Sequence, residues 1–166
     1  SLDDLRDMAT NMIDTPMHAF LHHAVLAGAS MLVSGNPGVG KTTLLRSLGN
    51  TIPYNNVLVS VEDERELGLH LPRWDTRTQR MIKRHAVSRS FESRLPNAEG
   101  MGGFDMGDAL HEALRMSPTW VVVGEVRGAY VTYLLEAATS GISSVMCTIH
   151  SRSARGVFKK VKINAL

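Results

Sequence analysis

Apolar residues fall into four short unbroken runs, separated by stretches in which they recur every three or four positions. The runs are Ser30-Met31-Leu32-Val33-Ser34, Val57-Leu58-Val59-Ser60-Val61, Trp120-Val121-Val122-Val123-Gly124 and Ser144-Val145-Met146-Cys147-Thr148-Ile149. Each has the length and β-branched content of a buried strand. Leu44, Leu45 and Leu48 share one helical face, and Gly49-Asn50 supply a stop. Asp105 caps a second periodic stretch carrying Met106, Leu110, Ala113, Leu114 and Met116, closed by Pro118. A third runs from about Ala129 to Thr139, with Val131, Leu134, Leu135 and Ala138 inward. Two helices precede the first run. Ser1-Leu2-Asp3-Asp4 reads as a capping box for Leu2, Leu5, Ala9 and Met12. Thr15-Pro16 reads as a cap and first-turn proline for Phe20, Leu21, Ala24 and Val25, ending near Gly28. From Glu64 to Gly103 no period holds, so short strands, loops and one helical turn are expected. Apolar strands alternating with helices predict an α/β fold: a mostly parallel sheet covered on both faces.

Composition narrows this without redirecting it. The chain has 166 residues, enough for one domain with a sizeable core. Four parts are expected: leading helices 1–28, a first strand–helix–strand unit 29–63, an irregular insert 64–104, and a second half 105–155. No run of 18 apolar residues marks a membrane span, and no leader is recognised. The chain opens without methionine and is expected to be part of something longer. A single cysteine, Cys147, inside an apolar run reads as a core thiol and excludes an internal disulfide. A formal net charge of +2 does not call for a polyanionic partner.

The chemistry lies between the first strand and the helix after it. Gly35-Asn36-Pro37-Gly38-Val39-Gly40-Lys41-Thr42-Thr43 fits G-x-x-x-x-G-K-[ST], with the flanking strand and helix that the motif requires. Glycines let successive N–H groups point inward at phosphates, and the helix N-terminus adds partial positive charge. Lys41 is expected on the β- and γ-phosphates of ATP or GTP, and the Thr42 hydroxyl on Mg²⁺. In parallel sheets ligands sit beyond the carboxyl ends of the strands. Three further strand ends carry Glu62-Asp63, Glu125 and His150. Glu125 is placed as a Walker B acid that holds Mg²⁺ through water. Glu62 is placed to polarise the attacking water, and His150 to sense the γ-phosphate or bond that water.

Other polar features read more simply. His18, His22 and His23 share a helix with no carboxylate or cysteine near them in sequence, and read as solvated surface residues rather than a metal site. Arg73, Arg77, Arg80, Lys83, Arg84, Arg89 and Arg94, with Trp74 and Phe91 interleaved, admit a nucleic-acid surface, although solvated basic loops are commoner. Arg127 is close enough to Glu125 to pair with a carboxylate, or with phosphate across a subunit boundary.

With these pieces in order, the sequence resembles the type II/type IV secretion ATPase superfamily, closest to the branch serving Flp/Tad-type pili and conjugation. The resemblance rests on Leu32 through Leu45, Val61-Glu62-Asp63-Glu64-Arg65-Glu66-Leu67, Arg94-Leu95-Pro96-Asn97-Ala98-Glu99-Gly100, Ala113-Leu114-Arg115-Met116-Ser117-Pro118, Val123-Gly124-Glu125-Val126-Arg127-Gly128 and Thr148-Ile149-His150. It implies a RecA-like motor domain in a hexameric ring. Such a ring would hydrolyse ATP between subunits, in the cytoplasm at the inner face of a membrane, against membrane-embedded platform proteins. It implies that Arg94, Arg115 or Arg127 meets nucleotide from a neighbouring subunit. Two motifs depart from the family: Ser117-Pro118-Thr119 stands for Arg-Pro-Asp, and Ser140-Gly141-Ile142 for Thr-Gly-His. These bear on turnover rather than on binding. They motivate a second expectation, a nucleotide-binding switch or scaffold with little turnover. The basic stretch motivates a third, a nucleic-acid translocase of the same fold.

Overall fold

The computed structural model describes residues 1–7, 12–139, 141 and 144–164. Five strands form one sheet in the order β1-β7-β6-β2-β5: β1 (Met31–Gly35), β2 (Val57–Glu62), β5 (Val87–Glu92), β6 (Trp120–Val123) and β7 (Ser144–His150). Every pairing in it is parallel. β3 (Arg73–Asp75) and β4 (Arg80–Ile82) form a separate antiparallel hairpin.

Alternation along the strands sends side chains to opposite faces and creates two cores. Leu58, Trp120, Val122 and Met146 point to one face. There they meet α1 (Leu2–Asp7), α2 (Thr15–Leu26) and α3 (Lys41–Gly49) through Leu2, Leu5, Val25, Leu45 and Leu48. Val59, Val61, Val121, Val123, Val145, Cys147 and Ile149 point to the other. They meet α4 (Met106–Arg115), α5 (Tyr130–Thr139) and α6 (Ala154–Asn164) through Leu110, Ala113, Leu134 and Val157. The result is three layers. Each fully buried leucine or valine contributes about 1.5–3 kcal/mol relative to exposure. The two clusters together fix α3 against the sheet and thereby the loop before it.

Several local expectations change. β2, β6 and β7 are buried nearly throughout, whereas β1 is an edge of the described sheet and leaves Leu32 half exposed. The sheet gains a fifth strand, β5, from the segment without periodicity. Its sequence, Val-Ser-Arg-Ser-Phe-Glu, is that of an edge strand, with Phe91 alone as a large apolar side chain. Asp14, not Thr15, caps α2: its carboxylate accepts from Met17 N at 2.8 Å, which puts Pro16 one position further in. Phe20, expected inward, is 71% exposed. On α5, Leu134 turns inward with Val131 and Ala137, while Leu135 and Ala138 are exposed. Asp105 caps α4 as expected, in a full capping box with Asp108. Helix α1 has the Ser1–Asp4 box and is described over Leu2–Asp7; Met12 is not helical, and Ala9 lies outside the described residues.

Candidate functional site

The carboxyl edge of β1, β2, β6 and β7 gathers the expected groups. Gly40, at φ 88°, caps α3 in the left-handed region that favours glycine, and Gly38 adopts φ 76°. This turns the exposed Asn36–Val39 loop over the start of α3. Lys41 opens that helix and is 8% exposed. Its Nζ donates to the Asn36 carbonyl at 2.9 Å and to His150 Nδ1 at 3.2 Å. Among the described residues no carboxylate lies within ion-pair distance of it. A buried ammonium bonded to a carbonyl and an imidazole retains donor capacity, and the nearest answering carboxylate, Glu125, reaches it only at a distance through His150.

His150 joins Lys41 to Glu125. An ammonium only donates, so Nδ1 accepts from Lys41 and Nε2 carries the proton; Nε2 then donates to Glu125 Oε1 at 2.9 Å. Arg127 grips the same carboxylate with both arms, Nε to Oε1 at 2.8 Å and a terminal nitrogen to Oε2 at 3.2 Å. This hydrogen-bonded pairing holds the Glu125 carboxyl below the usual carboxylate range and raises the Arg127 guanidinium. A continuous chain therefore runs from Arg127 through Glu125 and His150 to Lys41. Thr148, two residues before His150, ties β7 to the Glu125 loop through the Gly124 carbonyl at 2.6 Å.

Glu62 is held differently. It ends β2 and is 1% exposed. Oε1 accepts from the backbone N–H groups of Glu66 at 3.1 Å and Leu67 at 2.8 Å, while Oε2 is buried without a partner. Burial outweighs the two amide bonds and raises its pKa above the ordinary value. Thr42, Glu62, Asp63, Gly124, Glu125 and Arg127 share one cavity of about 280 Å³ with Glu64 and Glu66. Gly124 is the residue that sequence reasoning passed over. A Cβ there would stand 3.2 Å from Glu62 Cγ, so the glycine makes room for that carboxylate. Its position directly after an apolar strand was the available signal.

Not every expected residue converges. Gly35, Asn36 and Pro37 line a separate cavity together with His150. Arg94, past the end of β5, donates to the Gly102 carbonyl at 2.9 Å. It lines a neighbouring cavity, which meets the first only at Asp63. Arg115 ends α4 and pairs with Glu112 in the same helix, at the amino edge of the sheet. His18 does find a carboxylate: Asp3 of α1 lies 3.1 Å from its Nε2, which sequence distance concealed. Among the described residues no group of three or more histidine, cysteine or acidic side chains is arranged for a metal ion. Cys147 is buried, its thiol pushed up to about 12, as expected of a core residue. Phe91 packs against Phe104 with the rings tilted and their centroids 6.1 Å apart, and leaves Trp74 as the exposed aromatic of the basic stretch. Ser140 and Ile142 lie outside the described residues.

The family model described as "Type II/IV secretion system protein" matches residues 4–163. The chain belongs to this family. A putative conjugal transfer protein of Mycobacterium tuberculosis is 34% identical over 145 residues, 87% of this chain and 37% of that protein. The type IV secretion system protein PtlH of Bordetella pertussis is 35% identical over 135 residues, 81% of this chain and 36% of that one. The chain thus spans little more than a third of these type II/IV secretion relatives. In three dimensions it is similar to the VirB11 ATPase of the Brucella suis type IV secretion system, solved in complex with sulphate. The TM-score is 0.68 at 24% identity, over 98% of this chain and 40% of that one. At that identity the match shows the shared α/β fold of this secretion family.

Proposed function

We propose that this chain is an ATP-hydrolysing motor domain that powers pilus assembly or type II/IV secretion. It works as one domain of a hexameric ring, in the cytoplasm, against platform proteins at the inner face of a membrane. The observation that carries the reading is the linked set at the carboxyl edge. Lys41 presents a buried ammonium without a carboxylate, beside two acids kept in opposite electrostatic states. A glutamate raised by burial and another lowered by an arginine are the separated environments that acid–base chemistry needs.

In this reading the Asn36–Thr43 amides and Lys41 hold the phosphates. Glu62, which lines the cavity with one carboxylate oxygen left unpartnered among the described residues, takes a proton from the attacking water. Thr42 and Glu125 offer a hydroxyl and a carboxylate at one cavity. These are hard oxygen donors few enough for Mg²⁺, which keeps several of its ligands as water and phosphate oxygen. Bound there, Mg²⁺ would neutralise charge on the phosphates. His150 serves as a positioning residue that fixes Lys41 relative to Glu125, and Arg127 as the group that holds Glu125 until nucleotide arrives.

Turnover measured against protein concentration tests the reading. Phosphate release per subunit is expected to rise cooperatively, because Arg94 and Arg115 lie off the site and Arg127 is engaged with Glu125, so a phosphate-facing arginine would have to come from a neighbouring copy. His150→Ala is expected to lower kcat about tenfold to a hundredfold, through loss of its hydrogen bonds to Lys41 and Glu125, with KM changed less than about threefold. The Arg127 and His150 bonds that occupy Glu125 favour a second reading, a nucleotide-dependent switch with little turnover. Release at every concentration no faster than that of the Lys41→Ala variant would select the switch.

A further inference from the structure

The β3–β4 hairpin takes no part in the site above, and its surface has a composition that water does not favour. Among the described residues its strands pair only with each other, and a two-stranded hairpin by itself is marginally stable. Trp74 and Met81 are register partners, so they stand side by side on one face, 54% and 57% exposed. Leu71, 53% exposed, lies just before the hairpin. The other face carries Arg73, Asp75, Arg80 and Ile82.

Charge is as uneven as polarity. Between Leu67 and Phe91 the sequence holds Arg73, Arg77, Arg80, Lys83, Arg84 and Arg89 against one acid, Asp75, in a chain whose formal net charge is only +2. That acid is committed to the hairpin tip. Its Oδ1 accepts from Arg77 N at 3.1 Å and its Oδ2 from the Thr78 hydroxyl at 2.6 Å. Gln79, at φ 53°, completes the turn by donating to the Thr76 carbonyl at 2.8 Å. Among the described residues, Arg73, Arg77, Arg80 and Lys83 are exposed and have no ion-pair partner.

We infer that the β3–β4 hairpin is a membrane-contact element that seats Trp74 and Met81 in the headgroup region of an anionic phospholipid bilayer, with its basic residues on the lipid phosphates. An indole and a thioether gain by leaving water at an acyl boundary, and tryptophan favours that depth. Clustered Lys and Arg beside them add attraction to a negative surface. A nucleic-acid strand is the lesser fit. It would use Trp74 as a stacking platform but gain nothing from Met81 or Leu71, and Phe91 is turned into the core. The inference deepens the proposed position at a membrane face and rests on it, while needing nothing from the nucleotide chemistry.

The chain's two tryptophans make the test direct, because Trp120 is 2% exposed and already in an apolar setting. Phosphatidylcholine vesicles containing phosphatidylglycerol are expected to bind the protein in a flotation assay and shift its emission to the blue. Pure phosphatidylcholine vesicles should do neither, and salt should reverse both effects. Trp74→Phe should remove the spectral shift and keep binding. The double variant Trp74→Ser, Met81→Ser and the double variant Arg77→Glu, Arg80→Glu should each weaken binding about tenfold or more. Cooperative thermal unfolding without ligand, recorded on the same samples, should match the unsubstituted protein and so shows that each variant folds. No binding to anionic vesicles would overturn the inference. So would binding that both double variants leave intact, which would place membrane contact elsewhere on the chain. Binding of single-stranded oligonucleotide in place of vesicles would overturn it in favour of nucleic acid.

Discussion

Lys41→Ala is expected to weaken nucleotide binding about a hundredfold or more while leaving the fold standing. Among the described residues Lys41 Nζ donates to the Asn36 carbonyl and His150 and touches no carboxylate, so a triphosphate would supply negative charge in direct contact with this buried ammonium. Losing a charge-assisted contact in such a setting removes about 3 kcal/mol, which is roughly two decades of affinity. The unliganded fold depends little on it. Leu45 and Leu48, both fully buried, anchor α3, and deleting a buried charge relieves a desolvation cost. Thermal unfolding separates the two effects. At a hundredfold excess over Kd, nucleotide stabilises a folded state by about 2.7 kcal/mol. For a domain of this size that raises Tm by several degrees, at about 2–4 °C per kcal/mol. The variant should melt at or above the unsubstituted protein without nucleotide, and show almost no shift with it. Lys41→Arg keeps charge but spreads it over a planar fork, and should recover only part of the shift. A variant that still responds in full would remove Lys41 from the phosphate site.

Much of this geometry was legible in the sequence because it depends on features of short range. β2, β6 and β7 are covered on both faces, so their sequences are unbroken apolar runs, and the parallel sheet follows from their alternation with helices. The rule that ligands collect beyond strand carboxyl ends then brings Lys41, Glu62, Glu125 and His150 together. What was not legible depends on contacts between distant segments. β5 is covered less completely and reads as a polar loop, although it pairs with β2 along six positions. Leu32 belongs to an apolar run yet is exposed, because a run does not reveal whether its strand is an edge. Asp3 meets His18 only because α1 packs beside α2. Arg127 was foreseen near Glu125. That it pairs with the carboxylate in its own chain is decided by the path of the loop, and so is the failure of Arg94 to reach the same cavity.

Glu62→Gln is expected to reduce hydrolysis by about two to four decades, the range for removing a positioned general base, with nucleotide affinity kept within about threefold. It should at the same time make the protein more stable. Glutamine keeps an oxygen for the Glu66 and Leu67 amides, and places a neutral amide nitrogen where Oε2 is buried without a partner. The sign of the pH dependence follows from the raised pKa. The folded state holds the Glu62 proton more tightly than the unfolded chain. Its favourable contribution is therefore complete below the unfolded carboxylate value and is lost as pH rises through the higher folded one. Above that folded value the native protein carries an ionised, buried carboxylate at a cost that the glutamine variant escapes. The gain in Tm should be largest above the folded value and should fade as pH drops below the ordinary carboxylate value, where the carboxyl is protonated in both states. Unchanged phosphate release would remove Glu62 from catalysis. A fall in Tm at neutral pH would show instead that its charge is compensated in the fold. Loss of turnover together with a gain in stability is the signature of a group kept in an unfavourable place for its chemistry, and a carboxylate with only a structural role would not produce both.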